Sequence, residues 1–191
     1  ATSGSAVFDC LADGQLSVEN SVCRAQIVFQ LGVQTNDISL DPHISKECTV
    51  DIQRFCSDLV DEGQIIGVDC LRDNIDRLND VCFDAVFLSL RRAALTNSIV
   101  THRALSKACS TSIRDSCRLT GAQETVSCLS QLAPSLKTEQ CSVELKRYDV
   151  LASRFIELDF GLYSACQHQI KTFCVDVARQ SPLQRPQGVV T

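Results

Sequence analysis

Apolar residues and cysteines recur every four positions in three separate stretches: Leu40, Ile44, Cys48, Ile52, Cys56; Leu105, Cys109, Ile113, Cys117; and Leu158, Leu162, Cys166, Ile170, Cys174. A step of four keeps side chains on one slowly winding face of an α-helix. Each stretch therefore predicts a helix with its cysteines on the buried side. Phe55 and Phe173 widen that face, while Ser116 narrows it in the middle copy. A longer helical pattern comes before the middle stretch: Leu71, Ile75, Leu78, Cys82, Ala85, Val86 and Leu90 follow helical spacing and run on through Arg91-Arg92-Ala93-Ala94-Leu95. Gly14 and Pro134, just after a Cys-Leu pair, set its first turn apart in the other two copies. Gly63 and Gly121 stand where helix C-caps favour glycine. No sustained alternation and no Asn-Gly turn signals a strand. The predicted fold is all-α.

The cysteines make the repetition quantitative. They fall at 10, 23, 48, 56, then 70, 82, 109, 117, then 128, 141, 166, 174, with internal steps of 13, 25, 8; 12, 27, 8; and 13, 25, 8. Matching cysteines lie 57 to 61 residues apart. Each set opens on an apolar residue two before the first cysteine and a leucine after it, as in Phe8-Asp9-Cys10-Leu11, Val68-Asp69-Cys70-Leu71 and Val126-Ser127-Cys128-Leu129. Such a period marks an array of one structural unit. It divides the chain into cysteine-rich helical repeats over 1–60, 61–118 and 119–178, with a linker-like tail over 179–191.

Twelve cysteines, even in number and never closer than seven intervening residues, lack the close pairs of a zinc site. They read as structural disulfides in an oxidising compartment. A pair of helices in about 60 residues buries too little surface to be comfortably stable, and disulfides compensate. Cysteines eight apart on one helix are about 12 Å apart, beyond bridging reach, so partners must come from another helix. Three arrangements are compatible with the spacing. A hairpin within each unit gives Cys10–Cys56 and Cys23–Cys48, Cys70–Cys117 and Cys82–Cys109, Cys128–Cys174 and Cys141–Cys166. Pairing each closing helix with the next opening one gives Cys48–Cys82, Cys56–Cys70, Cys109–Cys141 and Cys117–Cys128, leaving Cys10, Cys23, Cys166 and Cys174 to find partners elsewhere. A mixed solenoid alternates Cys56–Cys70 and Cys23–Cys48 types and strands only Cys10 and Cys174. The first closes all twelve and is preferred on parity.

Composition narrows the function classes. A net charge of −5, a pI near 5.1 and no Lys/Arg block argue against nucleic acid and anionic lipid as partners. With 45% apolar residues the chain has the material for a core. Its longest apolar runs, such as residues 85–90, are far short of the roughly 20 residues that span a bilayer, so a membrane would be met only through a segment outside this chain. No Asn-x-Ser/Thr acceptor occurs. His43, His102 and His168 stand at different offsets from their nearest cysteines and read as surface residues. Cys166 with His168 lacks an orienting third group for nucleophilic catalysis. Asp73, Asp76, Asp80 and Asp84 read as a solvated helix face without EF-hand order. Arg91-Arg92 reads as a solvent-facing pair near a helix C-terminus. Neither catalysis nor a cofactor is expected.

The order C-x7-C, Gly, Cys-Leu and a final cysteine about 12 residues on resembles the cysteine-rich repeat of the Golgi apparatus glycoprotein, cysteine-rich fibroblast growth factor receptor and E-selectin ligand family. The closest match runs from Cys48-Thr-Val-Asp-Ile-Gln-Arg-Phe-Cys56 through Asp69-Cys70-Leu71 to Cys82. The resemblance implies a repeat that opens at Cys48 and a lumenal Golgi or extracellular location. It also implies partners of the growth-factor or cell-surface ligand class, bound without catalysis. A saposin-like lipid-binding protein and a structural spacer in a surface assembly are the alternatives; the saposin-like six-cysteine pattern is missing.

Overall fold

A computed structural model describes residues 3–121, 124–136 and 138–174; the expected tail over 179–191 lies outside them. The described residues form helices α1 (Ser3–Asp13), α2 (Ser21–Asn36), α3 (Pro42–Glu47), α4 (Thr49–Phe55), α5 (Ser57–Asp61), α6 (Val68–Arg72), α7 (Asp80–Leu95), α8 (Arg103–Ala108), α9 (Ser110–Ser116), α10 (Thr125–Gln131), α11 (Glu139–Arg154) and α12 (Phe160–Phe173), joined by short 3-10 turns. The fold is all-α and stapled by four disulfides.

The threefold repetition of the cysteines is repeated in the elements. Each copy runs as a short opening helix (α1, α6, α10), a 3-10 turn, a 16-residue helix (α2, α7, α11), a second 3-10 turn and a closing segment. Every long helix starts from the same cap. Asn20, Asn79 and Thr138 accept the backbone N–H of Cys23, Cys82 and Cys141, each three residues on, which satisfies a donor that the first turn would leave orphaned.

The opening pattern is thus two helices rather than one. Asp73–Asn79 and its counterparts hold a 3-10 turn, so Ile75 sits in that turn and not on the long helix. In the third copy the closing stripe from Leu162 onward is one continuous helix (α12), with Leu158 in the preceding 3-10 turn, and in the first two it breaks at Cys48 and Cys109, where φ is −105° and −98° with ψ near 10°. Leu40 falls outside the helix, exposed in the preceding 3-10 turn. Gly63 ends α5 as expected. Its φ of +64° lets Gly63 N–H reach the Val60 carbonyl and Gln64 N–H reach that of Leu59, the paired bonds of a Schellman cap.

The main core gathers around α7. Phe83, Val86 and Phe87 meet Ile44 and Cys48 from α3–α4, Leu71 and Leu78 from the α6 segment, and Phe155 and Leu158 from the turn after α11. A second cluster joins Leu105 and Cys109 to Val126, Leu129, Cys141 and Leu145. A third, smaller one holds Ala12, Ile27 and Leu31, with Cys23 beside it. Among the described residues no helix is long and apolar enough to cross a membrane.

Candidate interaction surface and the disulfide seams

The disulfides follow the second arrangement. Cys48–Cys82 and Cys56–Cys70 join α3–α4 to α6–α7, with Cα separations of 4.7 and 6.2 Å. Cys109–Cys141 and Cys117–Cys128 repeat that seam between α8–α9 and α10–α11 at 4.6 and 6.0 Å. The preferred hairpin register is therefore overturned. Its physical obstacle is packing: Cys23 lies beside the small Ala12–Ile27–Leu31 cluster, whereas Cys48 is enclosed with Cys82 in the main core. The bridges also cross the expected boundaries at 60/61 and 118/119. Cys10, Cys23, Cys166 and Cys174 carry no bridge.

Polar groups complete the first seam. The buried Asp51 on α4 accepts from the backbone N–H and the side-chain amide of Asn79, at 2.8 and 2.7 Å, while Asn79 caps α7. In the second seam Ser112 takes the place of Asp51, and its buried hydroxyl has no partner. An Asn or Thr three residues before a cysteine that opens a helical run was the available sequence signal for these caps.

The charged residues depart from expectation. Arg92 is buried, not solvent-facing: its guanidinium meets Asp9 at 2.7 Å and Asp13 at 2.9 Å on α1, and Asp9 also meets His43 Nε2 at 2.9 Å. Burial works to raise the Asp9 pKa, but the His43 hydrogen bond and the Arg92 charge outweigh it and hold the carboxyl below its ordinary value. Removing a buried ion's partner costs about 3–5 kcal/mol; with Asp13 half exposed, Arg92→Met should cost about 2 kcal/mol. A urea titration measures it, and an unchanged midpoint would show the cluster to be energetically idle.

The predicted acidic face is split among three elements. Asp73 pairs with Arg72 and Arg147, at 2.8 and 3.4 Å, and Asp76 with Arg154 at 2.6 Å. Arg72 reaches Glu144 on α11 at 2.7 Å. The pairs with Glu144, Arg147 and Arg154 tie the second copy to the third.

His102 is not a surface residue either. It stands edge-on to Tyr148, with ring centroids 5.2 Å apart, and its Nε2 is buried without a partner. Burial, with a smaller contribution from the Arg72 charge, lowers its pKa from 6.5 to about 4. A base whose folded pKa is depressed takes up a proton on unfolding between those two values. Stability is therefore highest above pH 6.5 and falls as pH drops from 6.5 towards 4, by about 3 kcal/mol in total. His102→Phe should flatten a stability-versus-pH curve in that window. A slope equal to wild type would assign the effect to other groups.

No group of three or more His, Cys, Asp or Glu suited to a metal occurs among the described residues. Two grooves with exposed apolar residues lie beside the first seam instead. One, about 370 Å³, runs between α3 and α7 and is lined by Val81, Ala85, Phe87 and Leu88, with the charged or polar His43, Glu47, Asp84 and Arg91. The other, about 380 Å³, has Ile38, Ile52, Ile65 and Ile66 as its apolar lining, alternating with polar residues such as Asp37, Thr49 and Gln53. Val81 and Ile65 are exposed.

The family model described as a cysteine rich repeat matches residues 21–79, a span that opens on α2 and closes on the cap of α7. Golgi apparatus protein 1 of chicken (Gallus gallus) and of Homo sapiens are each 22% identical over 187 residues, 92% of this chain and 16% of the relative. A Golgi apparatus protein 1 homolog from Caenorhabditis elegans is 34% identical over 73 residues, 37% of this chain and 6% of the relative. Residues 21–79 thus match one copy of the cysteine-rich repeat, and the chain as a whole is similar to these relatives. It spans about a sixth of the length of the vertebrate relatives it matches. No solved structure matches it.

The matched repeat opens on the long helix at residue 21, not at Cys48 as the resemblance implied. In that frame Cys56–Cys70 closes within a repeat, and Cys48–Cys82 links it to the next. Four stapled bridges and Golgi relatives place the repeat in the Golgi or the extracellular space, the compartments where disulfides persist.

Proposed function

We propose that this repeat array is a non-catalytic protein-binding module whose partners are secreted growth factors or cell-surface ligands. The supporting observation is the first seam. Two disulfides and the Asp51–Asn79 hydrogen bonds fix it, and two grooves with exposed apolar residues are lined by the elements it joins. Stacked repeats present extended surfaces of this kind, and a surface fixed before binding loses little entropy when it docks.

The test is a binding screen of the oxidised chain against purified growth factors and cell-surface ectodomains, with Val81→Asp and Ile65→Asp as groove variants. Each introduces a carboxylate at an exposed apolar position, so folding is expected to survive, as circular dichroism would check. A partner should bind wild type and lose at least about tenfold in affinity, roughly 1.4 kcal/mol, to one of the variants. Retention of no ligand would sink the proposal. So would co-sedimentation with liposomes in place of protein binding, which is the saposin-like outcome.

A further inference from the structure

The middle copy is bridged to a neighbour on each side, so its open surface is what remains with both neighbours in place. Of the sixteen residues of its long helix α7, eleven are buried, and only Asp80, Val81, Asp84, Leu88 and Arg91 are not. Steps of three, four and three from Val81 to Arg91 put the last four on one face. That face runs along the groove between α3 and α7.

Two of the four polar side chains in this groove are already matched. Glu47 holds Lys46 at 2.7 Å and His43 holds Asp9 at 2.9 Å. Asp84 and Arg91 make no ion pair among the described residues. Burial and the like charge of Asp80 both raise the Asp84 pKa, and no cation offsets them. Arg91 differs from Arg92 beside it, whose guanidinium holds Asp9 and Asp13: the Arg91 Nε is buried and has no acceptor. A buried donor left without an acceptor is destabilising, and an acceptor brought by a partner removes that penalty. The repeat fold does not require this stripe, because the equivalent helix inverts it. Counted from Cys82 and Cys141, Asp84, Phe87, Leu88 and Arg91 on α7 correspond to Val143, Lys146, Arg147 and Val150 on α11. The second seam thus has valines in place of the two charges and cations in place of the apolar pair.

We infer that the α3–α7 groove takes a segment of a protein partner on which an acidic and a basic side chain lie about 10 Å apart with an apolar side chain between them. The acid pairs with Arg91, giving its Nε the missing acceptor, and the base pairs with Asp84. Seven residues at 1.5 Å rise set the distance between the two, and the apolar side chain rests on Leu88, which stands between them on the same face. Charges matched in a partly enclosed groove act mainly on specificity, since a partner with the opposite order sets like charges against each other. The inference rests on the protein-binding reading above and names, within it, the groove and the chemistry of the segment that fills it.

The probe is a library of random dodecapeptides displayed on phage, selected on the oxidised full chain and depleted on its Asp84→Asn/Arg91→Gln variant. Neither side chain holds a partner, so the variant should keep the wild-type fold, checked by circular dichroism and by mapping of the four bridges. Selected peptides should carry an acidic and a basic residue on either side of an apolar one. A synthetic copy should bind Asp84→Asn and Arg91→Gln each at least about tenfold more weakly than wild type. The charge-swapped chain Asp84→Arg/Arg91→Glu should prefer the peptide with its acid and base exchanged, a result that misfolding cannot produce. Any of four results would overturn the inference: no enrichment, peptides without the acid and base, equal binding to the single variants, or a charge-swapped chain that still prefers the original peptide. Its failure is separable from that of the binding proposal. A growth factor or ectodomain that Val81→Asp loses but that binds Asp84→Asn and Arg91→Gln as it binds wild type removes the charge pairing and leaves protein binding standing. Retention of no protein ligand counts against the binding proposal itself.

Discussion

Replacing Cys48 and Cys82 together by alanine should lower the stability of the chain by about 4 kcal/mol, the loop-entropy contribution for a bridge over 34 residues. Both cysteines are fully buried, and alanine leaves no unpaired hydroxyl in the core as serine would. The Cys56→Ala/Cys70→Ala pair closes a loop of only 14 residues and should cost about 3 kcal/mol. For a chain of this size, 4 kcal/mol corresponds to a fall in Tm of about 8–16 °C. Calorimetry of the oxidised proteins reads it. The single variants report the pairing directly. Cys48→Ala should release a reactive thiol at Cys82 that wild type lacks, identified by alkylation and peptide mapping; a Cys82 that stays bonded, with a Cys23 thiol absent from wild type appearing instead, would restore the hairpin register and refute the seam described here. A cost below about 1 kcal/mol for the double variant would mean that the unfolded chain gains little freedom when that bridge is absent.

The copies and their helices were legible because both follow from periodicity. A step of four along Cys48, Ile52, Cys56 and the recurrence of the set near every 59 residues are local signals. The pairing was not legible, because each register puts the same residues on the same buried faces. Counting closed bonds favoured the hairpin, but what decides is where Cys23 and Cys48 pack, and that depends on α2 and α3 joining different clusters. Arg92 shows the same limit. Beside Arg91 near the end of α7 it has the local signature of a solvated cation, yet its partners Asp9 and Asp13 lie 83 and 79 residues away in sequence. His102 is likewise enclosed by Tyr148 from another copy. The long-helix caps at Asn20, Asn79 and Thr138 were readable from sequence, since Asn or Thr three residues before a helical cysteine is a local pattern. The grooves were not, since they lie between elements brought together by the bridges.

Phe87→Ala is expected to cost about 4 kcal/mol, within the range of about 3–5 kcal/mol for emptying a buried phenylalanine site. Phe87 is 2% exposed, stacks on Phe83 with centroids 6.0 Å apart and meets Phe155 edge-on at 5.0 Å. Phe155 follows α11 in the third copy, while Ile44 and Cys48 enter the same cluster from the first. One side chain on α7 therefore helps to join all three copies in a single core. The neighbours that would have to close a cavity there are held by Cys48–Cys82 on one side and by the second seam on the other, so relaxation is restricted and the cost stays near the upper part of the range. A double-mutant cycle with Phe155→Ala should show coupling of about 1 kcal/mol, the scale of an edge-to-face aromatic pair. Zero coupling would mean that the third copy is held by its disulfides and the Arg72–Glu144 and Arg154–Asp76 pairs alone. In that case Phe87→Ala would leave the third copy's hydrogen-exchange protection unchanged while lowering that of α7.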